Sequence, residues 1–301
     1  MKNESASNPA SLGLGVEEAA EETPIQRDVI EGTLGQDGNA EPSPAAKHFL
    51  VRGKSAGPLK KPADTFIETI IGHDDRARIL ETTKQPWRMI CSLDIEAPFG
   101  NFFGTGWLVG PKTVLTAGHC VYDAVQMGGW ARKIRLSPGR NGDEKPFDSV
   151  ESEKFTSIDT WLSTQNPDFD VGCIHLDTAI GLTTGWFSIG ALPDADLQDA
   201  LVNISGYPAD KSDGAEQWFD ANRVLRVGPR RIFYDVDTYG GQSGAPVWIY
   251  EKGSNQPLAV AIHAYGTSGT PEEFRITANS APRILPDLLQ QIRTWIDADS
   301  K

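Results

Sequence analysis

The stretch Asp237-Thr238-Tyr239-Gly240-Gly241-Gln242-Ser243-Gly244-Ala245-Pro246-Val247 sets a serine behind two glycines and just ahead of an apolar strand. Upstream, Leu115-Thr116-Ala117-Gly118-His119-Cys120 carries a histidine after a strand and a turn. Between them, Pro167-Asp168-Phe169-Asp170-Val171-Gly172-Cys173-Ile174 carries two carboxylates before another apolar run. A serine hydroxyl is a poor nucleophile near neutral pH unless an imidazole takes its proton and a carboxylate orients that imidazole. The three strings supply those groups in the chain order His, Asp, Ser.

Ser243 is the candidate nucleophile and His119 the candidate general base, because an imidazole titrates near neutral pH. Gly240 and Gly241 reach backbone angles closed to other residues, so the amides of Gly241 and Ser243 can turn toward one point as an oxyanion hole. The Gly-x-Ser-Gly string alone reads equally well as a glycine-rich turn with an exposed serine; the His and Asp strings decide between the two. Asp168 and Asp170 would share a strand face, so spacing leaves both open as the orienting acid, with Asp170 next to the apolar run. His48, His73 and His175 read as surface or packing residues. An α/β-hydrolase elbow is set aside: it needs Gly two positions after the serine, where Ala245 stands, and its triad runs Ser, acid, His.

The surrounding texture is all-β. Short apolar runs between Gly, Pro, Asn and Asp turns recur at Met89–Ile95, Thr105–Val109, Thr113–Thr116, Val171–Leu176, Leu201–Ser205, Ala245–Tyr250 and Leu258–His263. Gly110-Pro111-Lys112 and Glu251–Asn255 read as tight turns. A single helix is expected at the end, where Ile284, Leu285, Leu288, Leu289, Ile292, Trp295 and Ile296 follow one helical face that should pack on the last barrel. Residues from Met1 to about Pro62 are rich in Glu, Gly, Ser, Ala and Pro without a hydrophobic period, and read as a flexible leader.

A net charge of −13 with no basic stripe argues against nucleic-acid or anionic-membrane partners. Cys91, Cys120 and Cys173 contain no C-x-x-C pair, so no zinc site is expected; they read as small buried residues with at most one disulfide. No apolar stretch approaches the length of a membrane span. Met1–Ala6 is polar with no apolar run behind it, unlike a secretory signal.

With these strings in hand, the chain resembles the glutamyl endopeptidases, the Glu-specific bacterial branch of the chymotrypsin-like proteases, most closely the Bacillus type. Further matching strings are Ile70–Arg76, Gly106–Val114, Ser137–Gly142 and Ile204–Pro208. The resemblance implies two six-stranded antiparallel β-barrels, the first about 75–185 and the second about 186–283, then a helix about 284–298. It puts a leader or propeptide at 1–68 and the protease domain at 69–301. It assigns the triad His119, Asp170 and Ser243, the oxyanion hole Gly241 and Ser243, and the substrate-binding positions Thr238, His263, Ala264, Tyr265 and Gly266. It also implies processing at Glu68–Thr69, with Thr69 as the new N-terminus, and secretion.

Substrate preference has two readings. Asp237 lies where trypsin-like enzymes hold the acid that selects Lys or Arg, whereas an imidazolium at His263 with the Thr238 hydroxyl suits a glutamate carboxylate. Cleavage after Glu, more weakly after Asp, is expected; a Lys/Arg-specific protease or a catalytically silent module of the same fold are the alternatives. Two departures stand out. Gly104 occupies the place of the cysteine that partners Cys120 in the family, and Gln242 stands where trypsins hold the aspartate that pairs with a new N-terminus. A monomer acting on protein or peptide substrates is expected, with no cofactor, no metal, no nucleic acid and no membrane.

Overall fold

The computed structural model describes residues 24–35 and 69–301; His48 and the bond Glu68–Thr69 fall outside or at the edge of the described residues. Two antiparallel sheets carry the fold, and the apolar runs named above become strands within a residue or two of their expected limits, except that the strand carrying Thr105–Val109 starts five residues earlier, at Gly100. The runs are rich in β-formers, and most of them are buried on both faces, as in Thr113–Thr116 and Pro257–Ile262.

In the first sheet, Ile90–Ala97 pairs with Gly100–Leu108 on one side and with Lys133–Pro138 on the other. Thr113–Thr116 joins Gly100–Leu108 through the Gly110-Pro111-Lys112 turn and then pairs with Gly172–His175. Phe155–Ser157 and Val150–Ser152 are the two ends of this seven-strand path. They are consecutive in the chain, so the sheet curls back on itself across residues 153–154. Counted as one broken strand, they give the expected six.

The second sheet has nine strands. Six of them form a ring: Leu201–Gly206, Trp218–Val227, Arg231–Tyr234, Asn279–Pro282, Pro257–Ile262 and Pro246–Tyr250. Bridges between Ala261 and Arg283 and between Tyr265 and Ser280 close that ring. Ala77–Arg78 adds to Trp218–Val227. Ser188–Ala191 lies parallel to Pro257–Ile262, outside the ring.

The ninth strand is Asp28–Ile30, antiparallel to Ser188–Ala191. It falls in the stretch expected to be a flexible leader. Its polar composition conceals a short apolar pair, Val29-Ile30, which is enough for one strand when an open sheet edge offers partners.

The helix Pro286–Asp299 buries Leu288, Leu289, Ile292 and Trp295, the expected face. It packs on more than the last barrel: Ile284, Leu288, Leu289, Ile292 and Trp295 share one cluster with Trp107 and Leu115 of the first sheet and Ile189 and Trp248 of the second. Its last turn is tied to the first sheet, where the Thr113 hydroxyl bonds Asp299 at 2.6 Å and His175 Nδ1 meets the same carboxylate at 2.9 Å. Cys91, Cys120 and Cys173 are all buried thiols.

Candidate active site

Ser243 sits between two tight turns of the second barrel. The Gln242 amide donates to Tyr239 O at 3.0 Å and the Ala245 amide to Gln242 O at 2.9 Å. Gly241 and Gly244 have φ of 101° and 88°, the region where glycine alone is unstrained. Room is as decisive as angle at Gly244: a side-chain carbon there would lie 2.2 Å from both Thr105 O and Thr116 Oγ1.

Thr105, from the first sheet, fastens this loop. Its amide donates to Ser243 O at 2.8 Å, and its hydroxyl donates to Gly241 O at 2.8 Å while accepting from the Tyr207 amide at 3.0 Å. One residue of the first barrel thus sets where the serine of the second barrel stands.

His119 lies in the helical turn Gly118–Val121, directly after the strand Thr113–Thr116. Asp170 follows the turn Pro167–Phe169, whose start is capped by Asn166, and is fully buried. The His119 Nδ1 to Asp170 Oδ2 distance is 2.7 Å, and the His119 amide donates to Oδ1 at 2.8 Å. That approach needs Gly118, because a side-chain carbon there would lie 2.8 Å from Oδ1. A third donor completes the carboxylate's surroundings: the Tyr265 hydroxyl reaches Oδ2 at 2.5 Å.

Asp168 does not share this position. It turns to Arg231 Nε at 2.8 Å, because the turn before the strand breaks the two-residue alternation assumed for it. Burial alone would depress the His119 pKa, but the Asp170 carboxylate outweighs it and holds the imidazole well above its ordinary value. Burial, with the Asp170 charge next, pushes the Tyr265 phenol far up, so it remains a protonated donor.

His119, Cys120, Ser243, Ala264 and Tyr265 line one cleft of about 460 Å³, whose other walls include Ile95, Phe102, Met127 and Trp161. Ala264 and Tyr265, two of the expected substrate-binding residues, therefore face the same space as the serine and histidine. Thr238 and His263 are fully buried and are not among the residues that line it. Gly266 starts the turn Thr267–Gly269 just beyond.

His263 is laced to the nucleophile loop, its carbonyl accepting from the Gly244 amide at 2.7 Å and its amide donating to Ala245 O at 2.8 Å. Its Nδ1 meets the Tyr234 hydroxyl at 2.6 Å. Burial, and second the charge of His119, pull its pKa down to about 3. That shift favours a neutral ring over the expected imidazolium. Desolvation of a fully enclosed ring disfavours the charged form, and no local sequence pattern signals that enclosure.

Asp237, the residue behind the Lys/Arg alternative, points elsewhere. Its Oδ1 accepts from the Ile71 amide at 2.7 Å and its Oδ2 from the Asp75 amide at 2.9 Å. Thr69 is held close by: its carbonyl accepts from Asn279 Nδ2 at 2.7 Å, and the same Nδ2 lies 3.0 Å from the Thr238 hydroxyl. Asn279 carries no motif of its own, Thr105 and Gly118 stand in strings already quoted that give no sign of these contacts, and the Tyr265 hydroxyl has no sequence signal for its place on Asp170. Each acts through a partner at least 41 positions away along the chain.

Comparison with known proteins agrees with this geometry. Residues 104–254 match the family model of the trypsin-like peptidase domain. The chain is 36% identical over 249 residues to a glutamyl endopeptidase of Bacillus licheniformis, covering 81% of this chain and 73% of that protein. It is 35% identical over 229 residues to a Bacillus subtilis protein named an extracellular metalloprotease, covering 75% and 69%. The metal centre that this second name suggests finds no donor set here: among the described residues no group of three or more His, Cys, Asp and Glu side chains could hold an ion. A solved Glu endopeptidase superimposes with a TM-score of 0.66 at 28% identity, over 76% of this chain and 100% of that one. On the cleft, the match of the catalytic strings and these likenesses together, the chain belongs to the glutamyl endopeptidase family of trypsin-like serine peptidases.

Proposed function

We propose that this serine endopeptidase cuts on the carboxyl side of glutamate, and of aspartate more weakly, through His119, Asp170 and Ser243. Ser243 Oγ attacks the scissile carbonyl while His119 Nε2 takes its proton. The charge that develops on the carbonyl oxygen is met by the amides of Gly241 and Ser243. His119 then returns the proton to the leaving amine, and water repeats the sequence on the acyl-enzyme.

Asp170 holds Nδ1 protonated, so Nε2 is the free base. Tyr265 acts as a positioning residue: its hydroxyl fixes the carboxylate from the side opposite the His119 amide.

The observation that carries the specificity is the direction of Asp237. Both of its oxygens accept backbone amides of residues 71 and 75, so a lysine or arginine entering the pocket would meet a carboxylate already satisfied. A neutral His263 and the Thr238 hydroxyl can instead donate to a glutamate carboxylate, and burying that anion beside the ring would raise the ring's pKa toward protonation. The hydrogen-bonded cluster of Thr69, Asn279 and Thr238 supports processing at Glu68–Thr69. An α-amino group released there has a pKa near 8 and would add positive charge close to the pocket.

Cleavage-site profiling of a peptide mixture tests the reading. Products ending in Glu, lost in Ser243→Ala and much reduced in His263→Ala with folding intact, are expected. Products ending in Lys or Arg would refute it, and N-terminal sequencing of the catalytic chain of the active form, separated under denaturing conditions, should begin at Thr69.

A further inference from the structure

We propose that the sheet edge at residues 186–191 is a lasting binding site for residues 24–35, so that cutting the chain within residues 36–68 leaves a mature enzyme of two non-covalently joined chains. The proposal builds on the processing just described but concerns a different surface.

The contact has the features of an added strand rather than a loose tail. Asp28, Val29 and Ile30 are in register with Ala191, Gly190 and Ile189. Thr33 and Trp186 exchange both backbone hydrogen bonds, at 3.0 and 2.8 Å. The Gly32 amide donates to the Ser188 hydroxyl at 2.8 Å. Gly32 itself is pressed so close that a side-chain carbon would lie 2.3 Å from Ser188 N and 2.4 Å from Trp186 O. No other residue type fits there.

Side chains continue the fit on both faces. Ile30 packs against the cluster that holds Phe187 and Ile189, and Val29 against the one that holds Leu258. Arg88, nearly fully buried, donates from Nη2 to Leu34 O at 2.7 Å, and Gln85 donates to the same carbonyl. Ion pairs flank the strand: Arg27 grips Glu251 through both oxygens at 2.5 and 2.8 Å, and Asp28 meets Arg293 at 2.7 Å.

Without residues 24–35, Ser188–Ala191 would be an open edge, and the buried Arg88 would lose an acceptor. None of these contacts passes through residues 36–68. Cutting there removes the tether, and with it the high effective concentration of the strand, but none of the bonds.

The leader also contains the bond Glu31–Gly32, which suits the enzyme's own preference. A protease needs its substrate extended and free in the cleft, whereas this bond lies in a strand already paired to a sheet edge. It is therefore spared while other Glu bonds of the leader are cut.

The test uses the full chain carrying Ser243→Ala and a recognition site for a foreign protease inserted within residues 36–68, so its outcome does not depend on self-processing. After cutting, the protein is gel-filtered at micromolar concentration and weighed by native and by denaturing mass spectrometry. The expected result is one native complex whose mass is the sum of both fragments, resolved into two only on denaturation. Gly32→Val should release the leader fragment and lower Tm by about 5 °C, as loss of a bound ligand does. Thr33→Pro, which removes the hydrogen bond from the Thr33 amide to Trp186 O and leaves the sequence of residues 69–301 unchanged, should release it as well. Separation of the unsubstituted fragments on the column, or equal retention of all three leaders, would overturn the proposal. Failure of the active enzyme to cut itself at Glu68 would leave this measurement intact, which keeps the two claims apart.

Discussion

Replacing Asp170 by Asn probes the proposed machinery at its most constrained point. The carboxylate accepts three hydrogen bonds, from the His119 amide on Oδ1 and from His119 Nδ1 and the Tyr265 hydroxyl on Oδ2. An asparagine has one acceptor oxygen and one donating NH₂. If the oxygen keeps facing the His119 amide, the NH₂ faces Nδ1 and the phenol. Nδ1 must then be the acceptor, which forces the ring proton onto Nε2, where Ser243 needs a base. If the amide flips, two N–H groups confront each other across 2.8 Å. At least two charge-assisted bonds are lost either way. At about 1.5–3 kcal/mol each, the loss is about 3–6 kcal/mol, or roughly a 150- to 25,000-fold fall in kcat.

The assay is steady-state hydrolysis of a Glu-ending chromogenic peptide, with Tm followed in parallel. KM should change little, because Asp170 lies behind His119 and does not touch substrate. Asp168→Asn serves as the control, since that residue pairs with Arg231, and should keep kcat within about twofold. An Asp170→Asn enzyme within tenfold of the parent would refute the orienting role, and a large loss in Asp168→Asn would mean that the two acids were assigned the wrong way round.

Three further outcomes are expected. The general base must be neutral to act and its pKa is raised by Asp170, so kcat/KM should be lost as pH falls through a midpoint above 6.5; a midpoint at or below 6.5 would contradict the pairing. Tyr265→Phe should lower kcat about 10- to 100-fold and move that acid limb upward, since Asp170 without the phenol is a stronger acceptor for the imidazolium; the cation Arg231 and the acid Asp123 near this phenol stay in place, and an unmoved limb would reduce Tyr265 to packing. Gly104→Cys should close a disulfide with Cys120, because a side-chain carbon at 104 would lie 3.0 Å from Cys120 Sγ. A bridge of that loop length is worth about 3 kcal/mol, which raises Tm by several degrees; persistent free thiols at both positions would count against the geometry.

The order of catalytic residues, the strand limits and the terminal helix could be read along the chain because each rests on local rules. Nucleophile loops need glycine, barrel strands need alternating β-formers, and a helix face repeats every three to four residues. Asp168 and Asp170, by contrast, differ only in which way a turn aims them, and that depends on Arg231 from the other barrel. Asp237 looks like a trypsin pocket acid until residues 71 and 75 fold over it. His263 looks cationic until the walls that desolvate it are built.

Likewise the leader's composition speaks for a free coil, yet residues 28–30 find an edge that the sequence of the leader cannot announce. Composition and spacing by themselves determined the chemistry on offer and the elements that carry it. Tertiary structure alone decided which acid serves the histidine, which charge survives burial and what the leader touches, because pairing and desolvation depend on neighbours that are distant in the chain.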